Sequence, residues 1–229
     1  MTTKEEYLSG KLLLIDKPLN WTSFQVVNKI RWLIRNKFSL KKIKVGHAGT
    51  LDPLATGLLI ICTGKMTKEI SKFQIQTKKY TGTFLLGTTT PSYDLETEPN
   101  KTFPVDHVTE DLITKSVQKF IGKIKQKPPI FSAIKKNGKR LYESARRGED
   151  VIIEDREIEI FSFNILKIDI PNIDFEVECS KGTYIRSLAN DFGEELSSGA
   201  TLTKLKRTKI GEYSVDKSIS IDKFINSLN

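Results

Sequence analysis

The chain has 229 residues, 38% of them hydrophobic and 28% charged. That balance fits a folded domain with its own core, and excludes wholesale disorder and collagen-like structure. No apolar run approaches the ~18 residues of a membrane span. Lys and Arg number 37 against 28 Asp and Glu, a formal charge of +9. Such a surface suits a polyanion, nucleic acid foremost, with a merely solvated basic surface as the plain alternative. The N-terminal segment is polar and carries Glu5 and Glu6, so neither a secretory nor a transit signal is present and the cytoplasm is the expected compartment. Cys62 and Cys179 lie in apolar segments and read as two buried thiols rather than a disulfide framework. With His47 and His107 the only histidines, a zinc site would need every candidate ligand at once, so no metal is expected.

In chain order, Leu12–Ile15 is a short apolar run closed by Asp16-Lys17-Pro18, a strand entering a turn. Thr22 and Gln25 have capping-box spacing, and apolar residues at 26/27, 30 and 33/34 predict an amphipathic helix over 22–35. Glycines 46, 49 and 57 punctuate a loop before the apolar run Leu58–Cys62, a buried strand. A short helix over 67–73 and a strand over 80–86 follow. Residues 88–107 are rich in turn formers and form a long connection, of the kind that is often functional. Further helices are predicted around 112–121, ended by Gly122, and over 139–147, with Gly148 beyond its end. Alternation predicts half-exposed strands at 156–164 and 175–179. A helix follows Gly182-Thr183, then a basic strand at 203–210 and a terminal helix near Phe224. Basic clusters at 35–37, 41–44, 123–127, 135–140, 146–147 and 204–209 interrupt these elements, as on a folded surface that tracks phosphates. The pattern is α+β, built on a mixed, mostly antiparallel sheet flanked by helices and long loops. No repeat or linker divides residues 1–229, so one domain is expected.

Residues 46–57 read Gly-His-Ala-Gly-Thr-Leu-Asp-Pro-Leu-Ala-Thr-Gly. Pro53 biases Asp52 to an extended backbone, and the glycines allow a sharp turn close to a ligand. A carboxylate so fixed and partly desolvated suits a nucleophile or base; an Asp capping its own turn is the alternative that spacing alone favours.

This segment closely resembles the catalytic motif of the TruB family of tRNA pseudouridine synthases, with Asp52 on its aspartate. The resemblance continues, in family order, through Gly10–Pro18 with Trp21-Thr-Ser23, Lys79-Tyr80 to Gly87, Gln126–Lys135 with Gly138–Glu143, Cys179–Leu188 with Asp191-Phe-Gly193, and Leu205–Gly211. It implies a pseudouridine-synthase-like fold with long RNA-binding loops. It also implies an isomerase that turns uridine into pseudouridine in the T loop of tRNA, at standard position 55, with no metal or organic cofactor. Four residues carry the implied site. Asp52 is the nucleophile or proton-handling carboxylate, and Arg186 pairs with it. Tyr80 stacks on the target uracil, and Tyr184 lies near C5. Leu205 lines the pocket, and His47 fills the space left when the base is extruded. Lys17, Lys135, Lys139 and Arg140 bind substrate, the last three on loops that, with Lys123–Lys127, grip phosphates of the tRNA elbow. For Tyr184 and Arg186 to face one cavity, residues 182–186 should form a turn.

Three departures stand out. Ala48 replaces a common threonine, and Phe131 a common tyrosine. The chain also stops about where the family's C-terminal PUA-like RNA-binding domain would begin. The expected partner is the T-stem-loop of tRNA, the expected state a monomer, and no membrane is involved. A tRNA elbow-binding folding chaperone without essential catalysis is the rival reading, against which an intact Asp52 and Arg186 argue. A basic binding module with no catalytic site leaves the set of Asp52, Tyr80, Tyr184 and Arg186 unexplained. A glycosidase needs two placed carboxylates, of which the motif offers one.

Overall fold

The computed structural model describes residues 2–132, 135–136, 139–140, 147 and 153–228, with 135, 136, 139 and 140 described as backbone. The first elements are α1 (Lys4–Ser9), β1 (Leu12–Lys17), α2 (Ser23–Lys37), β2 (Val45–His47) and β3 (Ala55–Thr63). A 3-10 turn at Gly64–Glu69 runs into α3 (Ile70–Gln74), followed by β4 (Lys78–Leu86), β5 (Thr88–Thr89), β6 (Lys101–Thr102), α4 (Glu110–Gln118) and β7 (Gly122–Gln126). Then come β8 (Lys135–Lys136), β9 (Lys139–Arg140), β10 (Arg156–Asp169), β11 (Asn172–Cys179), α5 (Ile185–Glu195), β12 (Ala200–Ile210), β13 (Tyr213–Ser214) and α6 (Ile221–Leu228). The fold is α+β with antiparallel pairing predominant. Two compact units divide the chain: residues 1–80 with 205–229, and residues 81–204.

The first unit is built on β3. Antiparallel β1 takes one edge, from Leu12 opposite Cys62 to Lys17 opposite Gly57. The other edge is shared, β12 pairing in parallel at Ala55–Gly57 and β2 antiparallel at Ile61–Thr63. Strand alternation sends Leu59 and Ile61 into a core with Val26, Val27, Ile30 and Ile34 of α2 and Phe224 of α6. Leu58, Ile60 and Cys62 point the other way, onto Ile70, Phe73 and Ile210. The unbroken apolar run in the sequence is thus a strand buried on both faces. Gly57 lies inside this strand rather than in a loop. Its φ is +100°, and a Cβ there would stand 2.3 Å from the Arg207 carbonyl oxygen, so only glycine lets β12 approach.

In the second unit β10 and β11 form a long hairpin, and β7 pairs with the start of β10. Phe84, Phe163, Phe175, Phe192 and Phe120 form its aromatic core, Phe84 stacked on Phe175 at 4.0 Å between centroids and the others meeting it tilted or edge-on. Register sets Lys123 opposite Glu159 and Lys125 opposite Glu157. Two members of a cluster expected on a phosphate-gripping loop therefore sit on a strand against carboxylates.

The Thr22 box forms as expected: Gln25 N–H donates to Thr22 Oγ1 at 3.1 Å and Thr22 N–H to Gln25 Oε1 at 2.7 Å. The same box caps α1 through Thr3 and Glu6. The helix expected to run to Gly122 ends at Gln118 with Lys119 as its cap, and Gly122 opens β7, a strand not anticipated. The long connection 88–107 carries the small β5–β6 pair. Lys139 and Arg140, expected to start a helix, pair instead with Lys136 and Lys135 as strands. The rest of that expected helix, except Arg147, lies outside the described residues.

Candidate active site

In the first unit Asp52 is half-buried in the loop between β2 and β3. Five successive carbonyls of this loop are hydrogen-bonded. Gly49 and Thr50 accept from Arg207 Nη2 and Nη1 at 3.1 and 3.4 Å. Leu51 accepts from Ser23 Oγ at 3.1 Å, and its own N–H donates back to that oxygen at 2.8 Å. Asp52 accepts from Ala55 N–H at 3.1 Å, and Pro53 from Asn20 N–H at 2.9 Å and from Lys17 Nζ at 3.3 Å. A backbone so occupied fixes the direction in which the Asp52 side chain leaves the loop.

Two of these donors are buried cations. Arg207 is 1% exposed and spends its Nε on Leu58 O at 2.8 Å. It belongs to a cluster expected to face phosphates, yet β12 alternation turns it inward while its neighbours Lys204 and Lys206 stay exposed. Lys17 is fully buried, its ammonium donating to the carbonyls of Pro18, Trp21 and Pro53. Burial pushes its pKa down to about 8, with Asp52 opposing and Arg207 reinforcing the shift. Expected to bind substrate, Lys17 is here buried, with its ammonium on Pro18 O and Trp21 O of the connection between β1 and α2 and on Pro53 O of the Asp52 loop.

His47 ends β2 opposite Ile61. Its Nδ1 is buried without a hydrogen-bond partner, and burial holds its pKa below the usual value, the Arg207 charge adding to that against a Gly49 backbone interaction. Its ring is neutral at neutral pH. Tyr80 is buried on β4, and Leu205 is half-buried on β12 opposite Ala55.

In the second unit Tyr184 caps α5 from an extended backbone, with φ −101° and ψ 111°. Gln126, itself buried, reads both its backbone groups: Oε1 accepts from Tyr184 N–H at 2.8 Å and Nε2 donates to Tyr184 O at 3.0 Å. Arg186 lies in the first turn of α5, so the expected turn over 182–186 ends before it. Far from being a surface residue, it is 3% exposed. Its Nη1 donates to Ser92 O at 3.2 Å, its Nη2 to Phe131 O at 2.8 Å, and its Nε stands 3.6 Å from Asp94 Oδ2. Because Phe131 contributes a carbonyl, its departure from tyrosine leaves this contact intact.

Asp94 is the residue sequence reasoning missed. It is buried, and its Oδ1 accepts from Ser92 Oγ at 2.6 Å and Glu96 N–H at 3.0 Å. Thr90 Oγ1 and Ser92 Oγ donate to its carbonyl. The density of Ser and Thr around it, in a loop already marked by its length, was the available signal. Lys135, Lys139 and Arg140 have no described side chains. Among the described residues no cluster of metal-ligand side chains occurs, and no helix is long and apolar enough to cross a membrane.

A loop carboxylate locked by buried cations, and a buried guanidinium held by carbonyls and an acid, define an α+β protein that invests buried charge in placing a few side chains. A model of the TruB family pseudouridylate synthases (N-terminal domain) matches residues 35–185. A tRNA pseudouridine synthase B of Flavobacterium johnsoniae is 63% identical over 99% of this chain and 99% of its own length. Another, of Phocaeicola vulgatus, is 54% identical over 95% and 93%. Among solved structures, a Cbf5–Nop10–Gar1 complex contains a chain 26% identical with a TM-score of 0.72, covering 98% of this chain and 56% of that one. The archaeal box H/ACA sRNP Nop10–Cbf5 complex, at 24% identity and a TM-score of 0.70, shares the fold, this chain again spanning about half (55%) of its length. The chain belongs to the TruB family of pseudouridylate synthases, and its activity is the isomerisation of uridine to pseudouridine.

Proposed function

We propose that this protein modifies tRNA in the T loop, at standard position 55, as a single catalytic domain acting in the cytoplasm as a monomer. The observation that carries the reading is the Asp52 loop, whose carbonyls from Gly49 to Pro53 are all bonded, within a segment that matches the family's catalytic motif. The relatives named for tRNA support the substrate.

The reaction breaks the N1–C1′ bond, turns the uracil and joins C5 to C1′; C5 gives up its proton and N1 takes one up, so no atom is gained or lost overall. Asp52 is the nucleophile. Arg186, assigned to the site by the resemblance, has its guanidinium fixed by Ser92 O, Phe131 O and Asp94. Tyr80 stacks on the uracil and Tyr184 serves near C5. Leu205 closes the apolar side, and His47, neutral and without a bond to break at Nδ1, enters the space the base vacates. Lys135, Lys139 and Arg140 are assigned to phosphates of the T-stem-loop.

The test is incubation of an unmodified tRNA transcript with the purified chain, without added cofactor, followed by mapping of pseudouridine. Product is expected at position 55. Asp52→Asn should bind the same RNA and form none. Product at another position would overturn the T-loop assignment, and turnover by Asp52→Asn at a substantial fraction of the parent rate would remove Asp52 as nucleophile.

A further inference from the structure

Helix α2 has a buried face and an outward one. Val26, Val27, Ile30 and Ile34 fill the core, whereas Phe24 is 64% and Trp32 55% exposed. Phe24, Asn28 and Trp32 follow at i, i+4 and i+8, with Arg35 and Lys29 flanking them, so they share one solvent-facing stripe. Lys29 Nζ lies 5.1 Å from the centre of the Trp32 ring. Large aromatics left on the outside of an otherwise cleanly amphipathic helix are not needed by the fold.

The charge around them has one sign. Residues 18–51 contain Lys29, Arg31, Arg35, Lys37, Lys41, Lys42 and Lys44 and no Asp or Glu. Arg31 is committed inward, to Asn28 Oδ1 and Val45 O; Arg35, Lys41 and Lys42 are exposed. Basic side chains interleaved with exposed aromatics match a polynucleotide strand, whose phosphates take the cations and whose bases take the rings. A second copy of this chain would bring like charges together, which opposes association.

The stripe starts beside the reacting centre. Asn20 N–H donates to Pro53 O, and Ser23, the first residue of α2, is bonded to Leu51 on both N–H and C=O. At about 1.5 Å per residue, Trp32 lies ~12 Å and Arg35 ~16 Å along the axis from Phe24. We propose that the outward face of α2 is an RNA-docking surface, taking the strand that flanks the target nucleotide, with phosphates on Lys29 and Arg35 and an unpaired base or ribose face on Trp32. The proposal rests on the reading of the protein as a tRNA-modifying enzyme, and it adds a contact surface to that reading.

The test measures tRNA affinity against salt for the parent, Lys29→Gln/Arg35→Gln, Trp32→Ala, Trp32→Phe, and the charge-matched control Lys115→Gln/Lys119→Gln, on α4 and at its C-terminal cap. Removing two phosphate contacts should make the slope of log affinity against log salt shallower by roughly 1.4–1.8. Trp32→Ala should weaken binding roughly 5-fold or more, as expected for loss of a stacked base, and Trp32→Phe should recover most of it. The control should keep the parental slope. Parental slope and affinity in the α2 variants would overturn the proposal, as would an equal loss in the control, which would make net charge the cause. Self-association or binding to anionic vesicles abolished by Trp32→Ala, with tRNA affinity unmoved, would assign the face to another partner and also overturn it. Pseudouridine formed by the parent in the same samples reports separately on the reading of function. Product with unweakened variants sinks the surface alone, and weakened variants without product sink the reading alone.

Discussion

Arg186 serves three directions at once: a carbonyl at Ser92, a carbonyl at Phe131 and the carboxylate of Asp94. An ammonium cannot reproduce that fork. Arg186→Lys should therefore lower the single-turnover rate at least ~10-fold, about 1.4 kcal/mol of transition-state stabilisation, with RNA affinity close to parental. An unchanged rate at saturating enzyme would show that the guanidinium's orientation is irrelevant to chemistry. Lys17 is tested through stability. Lys17→Met leaves the Pro18 and Trp21 carbonyls without their side-chain donor, a loss of roughly 3 kcal/mol measurable by urea unfolding. The sign with pH is fixed by its depressed pKa. The folded chain releases this proton near pH 8 and the unfolded chain near 10.5, so Lys17 contributes a rise in stability as pH climbs between them. The parent-minus-variant difference should grow over that window; a flat difference would mean that Lys17 is not a buried ammonium at neutral pH.

At the scale of elements, α5 carries a cost of its own. Burial pushes the Asp191 carboxyl up to about 6, and the charges of Glu194 and Asp155 raise it further against a hydrogen bond from Asn190. A folded pKa above the unfolded 3.8 means that the ionised form is penalised above pH 6 and the penalty vanishes as pH falls through 6 towards 3.8. Asp191→Asn should stabilise the protein by about 1–2 kcal/mol at pH 7.5 and by nothing at pH 3.5, read from denaturant midpoints. Local signals made the elements themselves largely readable. The Thr22–Gln25 box and the apolar spacing after it gave α2, and alternation gave β10 and β11. What local pattern could not give was pairing. Lys123 and Lys125 look like a phosphate site until β10 brings Glu159 and Glu157 opposite them. Asp94 is likewise silent until α5 supplies Arg186, 92 positions later in the chain.

For the molecule as a whole, the formal +9 mixes two populations of charge. Lys17, Lys78, Arg186 and Arg207 are all buried, each bonded to backbone carbonyls. They do not face solvent, so the count that predicted a polyanion also includes the cations that brace the interior. The motif residues Asp52 and His47 were legible because their segment is nearly contiguous. Their bracing was not, because Arg207 reaches Gly49 across 158 positions and nothing in a basic cluster distinguishes the one residue that turns inward.

The bonded carbonyls of the Asp52 loop also bear on which changes of length the gene can accept. The carbonyls from Gly49 to Pro53 answer to donors spread over several elements, Arg207 serving the first two, so an added residue must break the match for those beyond it. One glycine inserted between Leu51 and Asp52 should abolish pseudouridine formation and lower the yield of folded protein. The same insertion between Glu98 and Pro99, both exposed, should leave thermal unfolding within a few degrees of the parent. Equal tolerance at the two sites would mean that the loop accommodates slack despite its hydrogen bonds. On this view the interval between the histidine and the aspartate is a fixed length, and variation among related sequences should appear as substitution there and as insertion elsewhere.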